Sequence, residues 1–457
     1  MSAPPKSTPL SWPTRLGYGI GDMGFNLFFT TASLFLLLYY TDVAGLPPST
    51  AGWIMAAALV WDAVTDPAMG YLASRTRSRW GRYRPWILFG TIPLAASWAL
   101  IFLPIGLTGF ALALWALAAQ MLFRTFYTIV SMPYVSLSAA MTTDTRERGL
   151  LAAIRMLSAT AAGLGIALST LPLVAWLGGG DDTLGFFRVA LVYGLLASAL
   201  LLLVFATSRE DPAASEAPLP SAAEMIRMLA RNRAFWLVAG SMLLASFGST
   251  FFGKTIPYHL KYDGDRASLI GPALATITGC AFLAIPLWTA LMQRTSKRIV
   301  SLSGTALGVI GYILFYLVGS ALPAMFATLA LLGVSAGAAY LTFWAMLPDT
   351  VEYGEWRTGV RAEGIIFGFI SFVQKAALGI AVGLLGEVLT AIGYVANQPQ
   401  APETLADMRQ VMLWIPILCA LAAAAFIWRY PIDAKTHAGL VDDIRRRRAP
   451  DLQETQA

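Results

Sequence analysis

Charge is scarce in this chain. Of its 457 residues, 13% are Asp, Glu, Lys or Arg and 57% are hydrophobic. A soluble domain carries about 25% charged residues, so a water-soluble globular fold is excluded, and no nucleic-acid partner is expected. Cysteine is scarce too. Cys280 and Cys419 both fall in apolar stretches, which excludes a disulfide framework and a zinc motif and leaves buried packing thiols. His259 and His437 are too few and too far apart for a metal site. No cleavable signal peptide is expected, because the first apolar run starts near Leu16 and is too long for an h-region.

Apolar runs fill the space that charge leaves. At about 20 residues per membrane crossing, they predict an all-α membrane protein of twelve transmembrane helices. The predicted spans are 16–41, 50–74, 86–105, 110–138, 151–177, 185–207, 235–258, 269–292, 299–319, 322–347, 363–391 and 410–430. The longest polar break, 208–234, runs from Arg209-Glu210-Asp211-Pro212 through a Pro/Ala/Ser stretch to Arg227, Arg231 and Arg233. It divides the chain into a six-helix half at 1–207, a linker at 208–234, a second six-helix half at 235–430 and a tail at 431–457. Two six-helix halves joined in this way have the layout of the major facilitator superfamily. Arginine is concentrated in alternate loops, at Arg75 to Arg84, at Arg146 and Arg148, through the linker and at Arg445 to Arg448. The opposite loops hold little more than Arg188, Lys261, Arg266 and Arg409. The positive-inside rule therefore predicts both termini in the cytoplasm, with the chain in the inner membrane. The Arg445 to Arg448 run reads as an anchor of the same kind.

Two aspartates interrupt the second span. Asp62 and Asp66 stand at i, i+4, on one helix face. A charge near mid-bilayer costs about 2.5–3.5 kcal/mol on insertion scales. Two like charges one turn apart call for a cation or a proton between them. The simplest reading is a cation site in a transporter. Other ionisable residues inside spans are Asp22, Arg124, Arg155, Lys254, Lys375 and Glu387. Asp22, Lys254 and Glu387 lie near span ends, where snorkelling suffices. Arg155 and Lys375 sit deeper, without an acid on their own helix, and need partners from other helices or a ligand. Arg124, Thr128 and Ser131 form one stripe on the fourth span. It fits a pore face, an interhelical hydrogen-bond seam, or a counter-charge for Asp62 or Asp66. The basic loop between spans two and three, with Arg77, Arg82 and Arg84, suggests a gate. Candidate partners are Asp144 and Glu147 beside Arg146, and Asp349, Glu352 and Glu355. Gly19-Ile20-Gly21-Asp22-Met23-Gly24 spells GxGxxG but follows prolines and lies in a span, so helix packing explains it better than a dinucleotide.

These residues, taken in order, resemble the glycoside-pentoside-hexuronide:cation symporters, the family of melibiose permease. The matching stretches begin with Gly17-Tyr18-Gly19-Ile20-Gly21-Asp22 and Tyr40-Thr41-Asp42-Val43-Ala44-Gly45-Leu46. The run from Trp61 to Trp86 follows, then Tyr127-Thr128-Ile129, Met132-Pro133-Tyr134 and Asp144-Thr145-Arg146-Glu147-Arg148. The second half adds Asp349-Thr350-Val351-Glu352-Tyr353-Gly354-Glu355-Trp356, Arg361, Glu363-Gly364 and Lys375. The likeness covers nearly the whole chain.

The resemblance implies alternating-access symport of a sugar or glycoside. Asp62, Asp66, Thr65 and Thr128 would bind the coupling cation, Na+ or H+. Thr65 stands where the family has an asparagine that helps accept sodium, which leaves the choice of cation open. Asn26, Ser131, Arg155, Tyr340, Trp344 and Lys375 would contact the substrate. Asn26 and Ser131 replace two sugar-binding aspartates, Val135 a stacking tryptophan and Ile370 a glutamine. Two lost carboxylates beside retained Arg155 and Lys375 make the expected pocket more positive. An anionic sugar such as a hexuronide or sulfonated sugar then stands beside neutral glycosides as substrate. A lipid or lysolipid carrier on the same scaffold is the alternative. No enzyme, resident metal or cofactor is expected, and the family likeness suggests a monomer in the lipid bilayer.

Overall fold

The computed structural model describes residues 10–142, 145–210, 222–263, 266–318, 321–360 and 363–433, with 436, 437, 439, 440, 442–444 and 446 of the tail. Every long element among them is a helix. In chain order these are α1 (Trp12–Gly19), α2 (Gly21–Leu38), α3 (Pro48–Arg75), α4 (Arg84–Ile101), α5 (Gly109–Met141), α6 (Thr145–Gly178) and α7 (Asp182–Thr207). Then come α8 (Ala222–Arg231), α9 (Arg233–Tyr262), α10 (Ile270–Arg294), α11 (Lys297–Val318), α12 (Leu322–Thr358), α13 (Glu363–Ala391) and α14 (Pro402–Trp428). A π-helical turn, Tyr39–Val43, continues α2.

Local chemistry sets several of the ends. Pro48 opens α3, where its missing N–H costs nothing. Asp181 caps α7 by accepting the N–H groups of Thr183 at 2.8 Å and Leu184 at 3.1 Å. Gly359, at φ 73°, closes α12 in the left-handed conformation.

Eleven helical stretches among the described residues are long and apolar enough to cross a membrane, with α1, α2 and the π turn counted as one. The twelfth is α3. Its 28 residues are ample, since about 20 suffice, but Asp62, Asp66 and Arg75 lower its apolarity. Large apolar side chains point outward along the other spans: Phe110, Trp176, Leu195, Leu283 and Leu317 are all strongly exposed. In water such faces would aggregate; in lipid they cost nothing. The protein is a multi-pass membrane protein of the all-α class.

Contacts divide the chain into two compact units. The first comprises Met1–Glu216, Ile256–Ala275 and Val382–Leu405, the second Ala217–Thr255, Thr276–Ala381 and Ala406–Ala457. Grouping by contact thus assigns one end of α9, α10, α13 and α14 to the unit that holds the first six spans. In the first unit α4 packs on α5 and α7, α3 on α5, and α2 on α6 and α7. A buried aromatic cluster joins Phe28, Trp98, Phe102 and Phe123 there, with ring centroids 4.9–6.0 Å apart. In the second unit α11 packs along α12. There Phe235, Leu347, Ile366 and Ile370 share a core with Met228 of α8.

Candidate functional site

The aspartate pair of α3 faces α5. Asp62 is fully buried, and Arg124 of α5 is only 6% exposed. Thr128, one turn along from Arg124, places its hydroxyl oxygen 2.8 Å from Asp62 Oδ1 and 2.8 Å from Asp66 Oδ1. Arg124 Nη1 lies 3.5 Å from Asp62 Oδ2. The sequence left three roles open for the stripe on the fourth span; in the structure Arg124 is a counter-charge for Asp62, and Thr128 is the seam between the helices. Thr65, between the aspartates, donates to its own helix at Trp61 O (3.0 Å) and Asp62 O (3.2 Å), with Thr128 Oγ1 further off at 3.5 Å.

A second charged group lies among α1, α2, α5 and α6. Arg155 Nη2 donates to Asp22 Oδ1 at 3.0 Å. The guanidinium also stands 4.9 Å from the Tyr134 ring. Tyr134 stacks on Tyr18 at 4.8 Å. The two tyrosines exchange hydrogen bonds with each other's carbonyls, at 3.1 and 2.9 Å. The partner that Arg155 needs is therefore Asp22, which sequence reading had assigned to snorkelling. No spacing rule joins residues 133 positions apart; the only signal was that each was an ionisable residue in an apolar run.

The remaining expected contact residues fall as follows. Asn26 donates to Asp22 O at 2.8 Å and accepts from Thr30 Oγ1 at 2.9 Å. Ser131 is buried, and its hydroxyl makes no hydrogen bond among the described residues. In the second unit Tyr340 and Trp344 pack edge to face at 6.4 Å. They line a cavity of about 240 Å3 with Ser246, Ser249 and Gln374. Lys375, next to Gln374 on α13, is half-buried.

The expected gating residues have partners of their own. Glu210, from the start of the linker, accepts the backbone N–H groups of Arg82 (2.7 Å), Tyr83 (2.8 Å) and Arg84 (3.2 Å). A carboxylate thus caps the N-terminus of α4 from a distant part of the chain. Arg84 donates to Phe205 O at 2.7 Å, and Arg77 is exposed. Glu147 takes a two-pronged bond from Arg15, at 2.9 and 2.6 Å. Asp349 accepts from Lys297 Nζ at 2.7 and 2.8 Å. His437 of the tail bonds Glu352 and lies 3.6 Å from Asp349. Glu355 is buried. Asp144 lies outside the described residues, as does the side chain of Arg146. Asp349, Glu352 and His437 are close enough to hold a metal ion, but the Lys297 ammonium already sits on Asp349.

Membrane-spanning helices that bring a buried and a half-buried carboxylate, one hydroxyl and one arginine together in an apolar bundle suit a transporter. The chain belongs to the MFS/sugar transport protein family, whose family model matches residues 17–434. Transport is its class of activity. It is 30% identical over 450 residues to the glucuronide carrier protein homolog of Escherichia coli K12, covering 96% of each chain. It is 30% identical over 447 residues to the isoprimeverose transporter of Lactiplantibacillus pentosus, covering 96% of this chain and 92% of that one. The inner membrane symporter YicJ of Escherichia coli K12 is 31% identical over 430 residues, with 93% of each covered.

Proposed function

We propose that this protein couples the uptake of a sugar or glycoside to a proton, by alternating access in the inner membrane, with both termini in the cytoplasm. The observation that carries the choice of proton is the Thr128 hydroxyl. It lies at hydrogen-bond distance from two carboxylates, but a hydroxyl has one hydrogen to give. A carboxyl group that has taken up a proton would supply the hydrogen for the second contact. Charge counting calls for one monovalent cation: the pair carries two negative charges and Arg124 offsets one, so a single proton or a single sodium ion makes the site neutral and lowers the cost of an occluded state. Thr65, turned to its own helix, offers less to sodium than an asparagine would.

Substrate contact is assigned to Asn26, Ser131, Arg155, Tyr340, Trp344 and Lys375. Aromatic faces suit a sugar ring, and hydroxyl and amide groups suit its hydroxyls. The pairing of Arg155 with Asp22 offsets one of the two positive charges that favoured an anionic sugar, and this supports a neutral glycoside. The isoprimeverose and glucuronide relatives fall on either side of that choice.

Reconstituted vesicles test the reading. Pentosyl and hexosyl disaccharides, hexuronides, sulfonated hexoses and a lysolipid are offered under a pH gradient or a sodium gradient. Uptake of a neutral disaccharide is expected with an alkaline interior, unchanged by sodium, and lost in Asp66→Asn. Sodium-driven uptake at fixed pH would reject the proton. Preferential uptake of hexuronide would reject the neutral substrate, and of lysolipid the sugar class.

A further inference from the structure

Asp42 plays no part in the site above, yet its carboxylate is heavily hydrogen-bonded. It sits on the π-helical turn at the end of the first span, buried. Its Oδ1 accepts Thr41 Oγ1 at 2.7 Å and Tyr394 OH at 2.5 Å. Its Oδ2 accepts Tyr262 OH at 2.5 Å and the Lys261 ammonium. An ionised carboxylate offers about four acceptor positions, and four donors fill them. Asp42 is therefore saturated by donors from the protein itself.

The cage continues around it. Tyr258 OH lies 3.1 Å from Thr41 Oγ1. Asn397, at φ 59° the one non-glycine residue in the left-handed region among those described, contributes three bonds. Its side-chain amide donates to Asp42 O, its amide oxygen accepts Lys261 Nζ at 2.9 Å, and its N–H donates to Tyr262 OH at 2.9 Å. Burial, then the Asp42 carboxylate, push the Tyr394 phenol far above its ordinary range, so it stays a donor at any physiological pH.

Three segments distant in sequence meet here: the end of the first span, the end of α9, and the stretch after α13. Two close backbone approaches accompany them. A Cβ on Gly52 of α3 would lie 2.7 Å from Val382 O of α13, and one on Gly386 of α13 would run into Pro48 O. A Cβ on Gly271 of α10 would likewise meet Ala167 O of α6.

We infer that Asp42 is the pin of a reversible latch that closes one mouth of the transport path, tying the ends of α9 and α13 to the first span. The inference rests on the alternating-access reading above, and the arginine distribution makes this the outer mouth. Three of its four donors, Tyr262, Lys261 and Tyr394, come from other segments, and opening the latch releases those three from the first span.

The test uses a background without native thiols (Cys280→Ala, Cys419→Ala) that carries Leu38→Cys. Leu38 is buried one turn before Asp42. A membrane-impermeant thiol reagent is applied to each side of sealed vesicles in turn. With Asp42 present, labelling from outside is expected to be slow. Asp42→Asn, and separately Gly386→Val, should speed it at least ten-fold, with labelling from inside slowed or unchanged. Equal outside rates in Asp42→Asn and its parent, with sugar uptake intact in both, would overturn the latch. Labelling needs no sugar. Faster labelling in a protein that transports none of the sugars offered would therefore support the latch while rejecting the proposed substrate class.

Discussion

Thr128 is the residue on which the coupling reading turns, because its hydroxyl reaches both aspartates. Thr128→Val keeps the volume and removes the hydroxyl. Proton-driven uptake is expected to fall at least ten-fold, whereas Thr128→Ser should stay within about three-fold of the parent, since the hydrogen-bonding group is the same. Arg124 makes a different prediction. Removing one member of a buried ion pair costs about 3–5 kcal/mol, because the other charge is left uncompensated. Arg124→Gln should therefore lower the unfolding temperature in detergent markedly. Adding Asp62→Asn should restore much of the loss, and additive losses would disprove the pairing.

At the scale of elements, α4 depends on a cap supplied from 126 to 128 residues away. Glu210 satisfies three N–H groups at the positive end of the helix dipole. Glu210→Ala is expected to destabilise by about 1–2 kcal/mol, measurable as faster proteolysis of the loop at 76–83. The elements also show what the chain makes legible on its own. Spans are readable because apolar length is a local property, and Asp62 with Asp66 is readable because helical spacing is local too. The partnerships of Arg155 with Asp22, Glu210 with the loop, and Asp42 with Tyr394 are not readable. Each joins residues more than a hundred positions apart, and only packing brings them within reach. In the sequence Asp42 stands out only as part of a matching stretch. Its cage of tyrosines lies among residues that, read singly, look like ordinary aromatics at a span end.

For the molecule as a whole, coupling requires reciprocity. If a proton on the aspartate pair strengthens sugar binding by some factor, bound sugar strengthens proton binding by the same factor. Sugar affinity at equilibrium is therefore expected to rise as the pH falls, and sugar addition to a weakly buffered suspension should make it more alkaline. Asp66→Asn should abolish both responses and still bind sugar. Binding that is independent of pH in the parent protein would break the linkage.

The low apolarity of α3 reaches back to biogenesis. A nascent helix that carries Asp62 and Asp66 one turn apart enters the bilayer at a penalty that those charges impose. Its counter-charge, Arg124, is synthesised some sixty residues later. Until α5 emerges, α3 is a poorly committed segment, and it becomes secure only when the two are docked. The pairing of Arg124 with Asp62 is thus expected to act as a checkpoint during synthesis as well. A chain truncated before α5 should leave α3 exposed to quality-control proteases that spare the full-length protein.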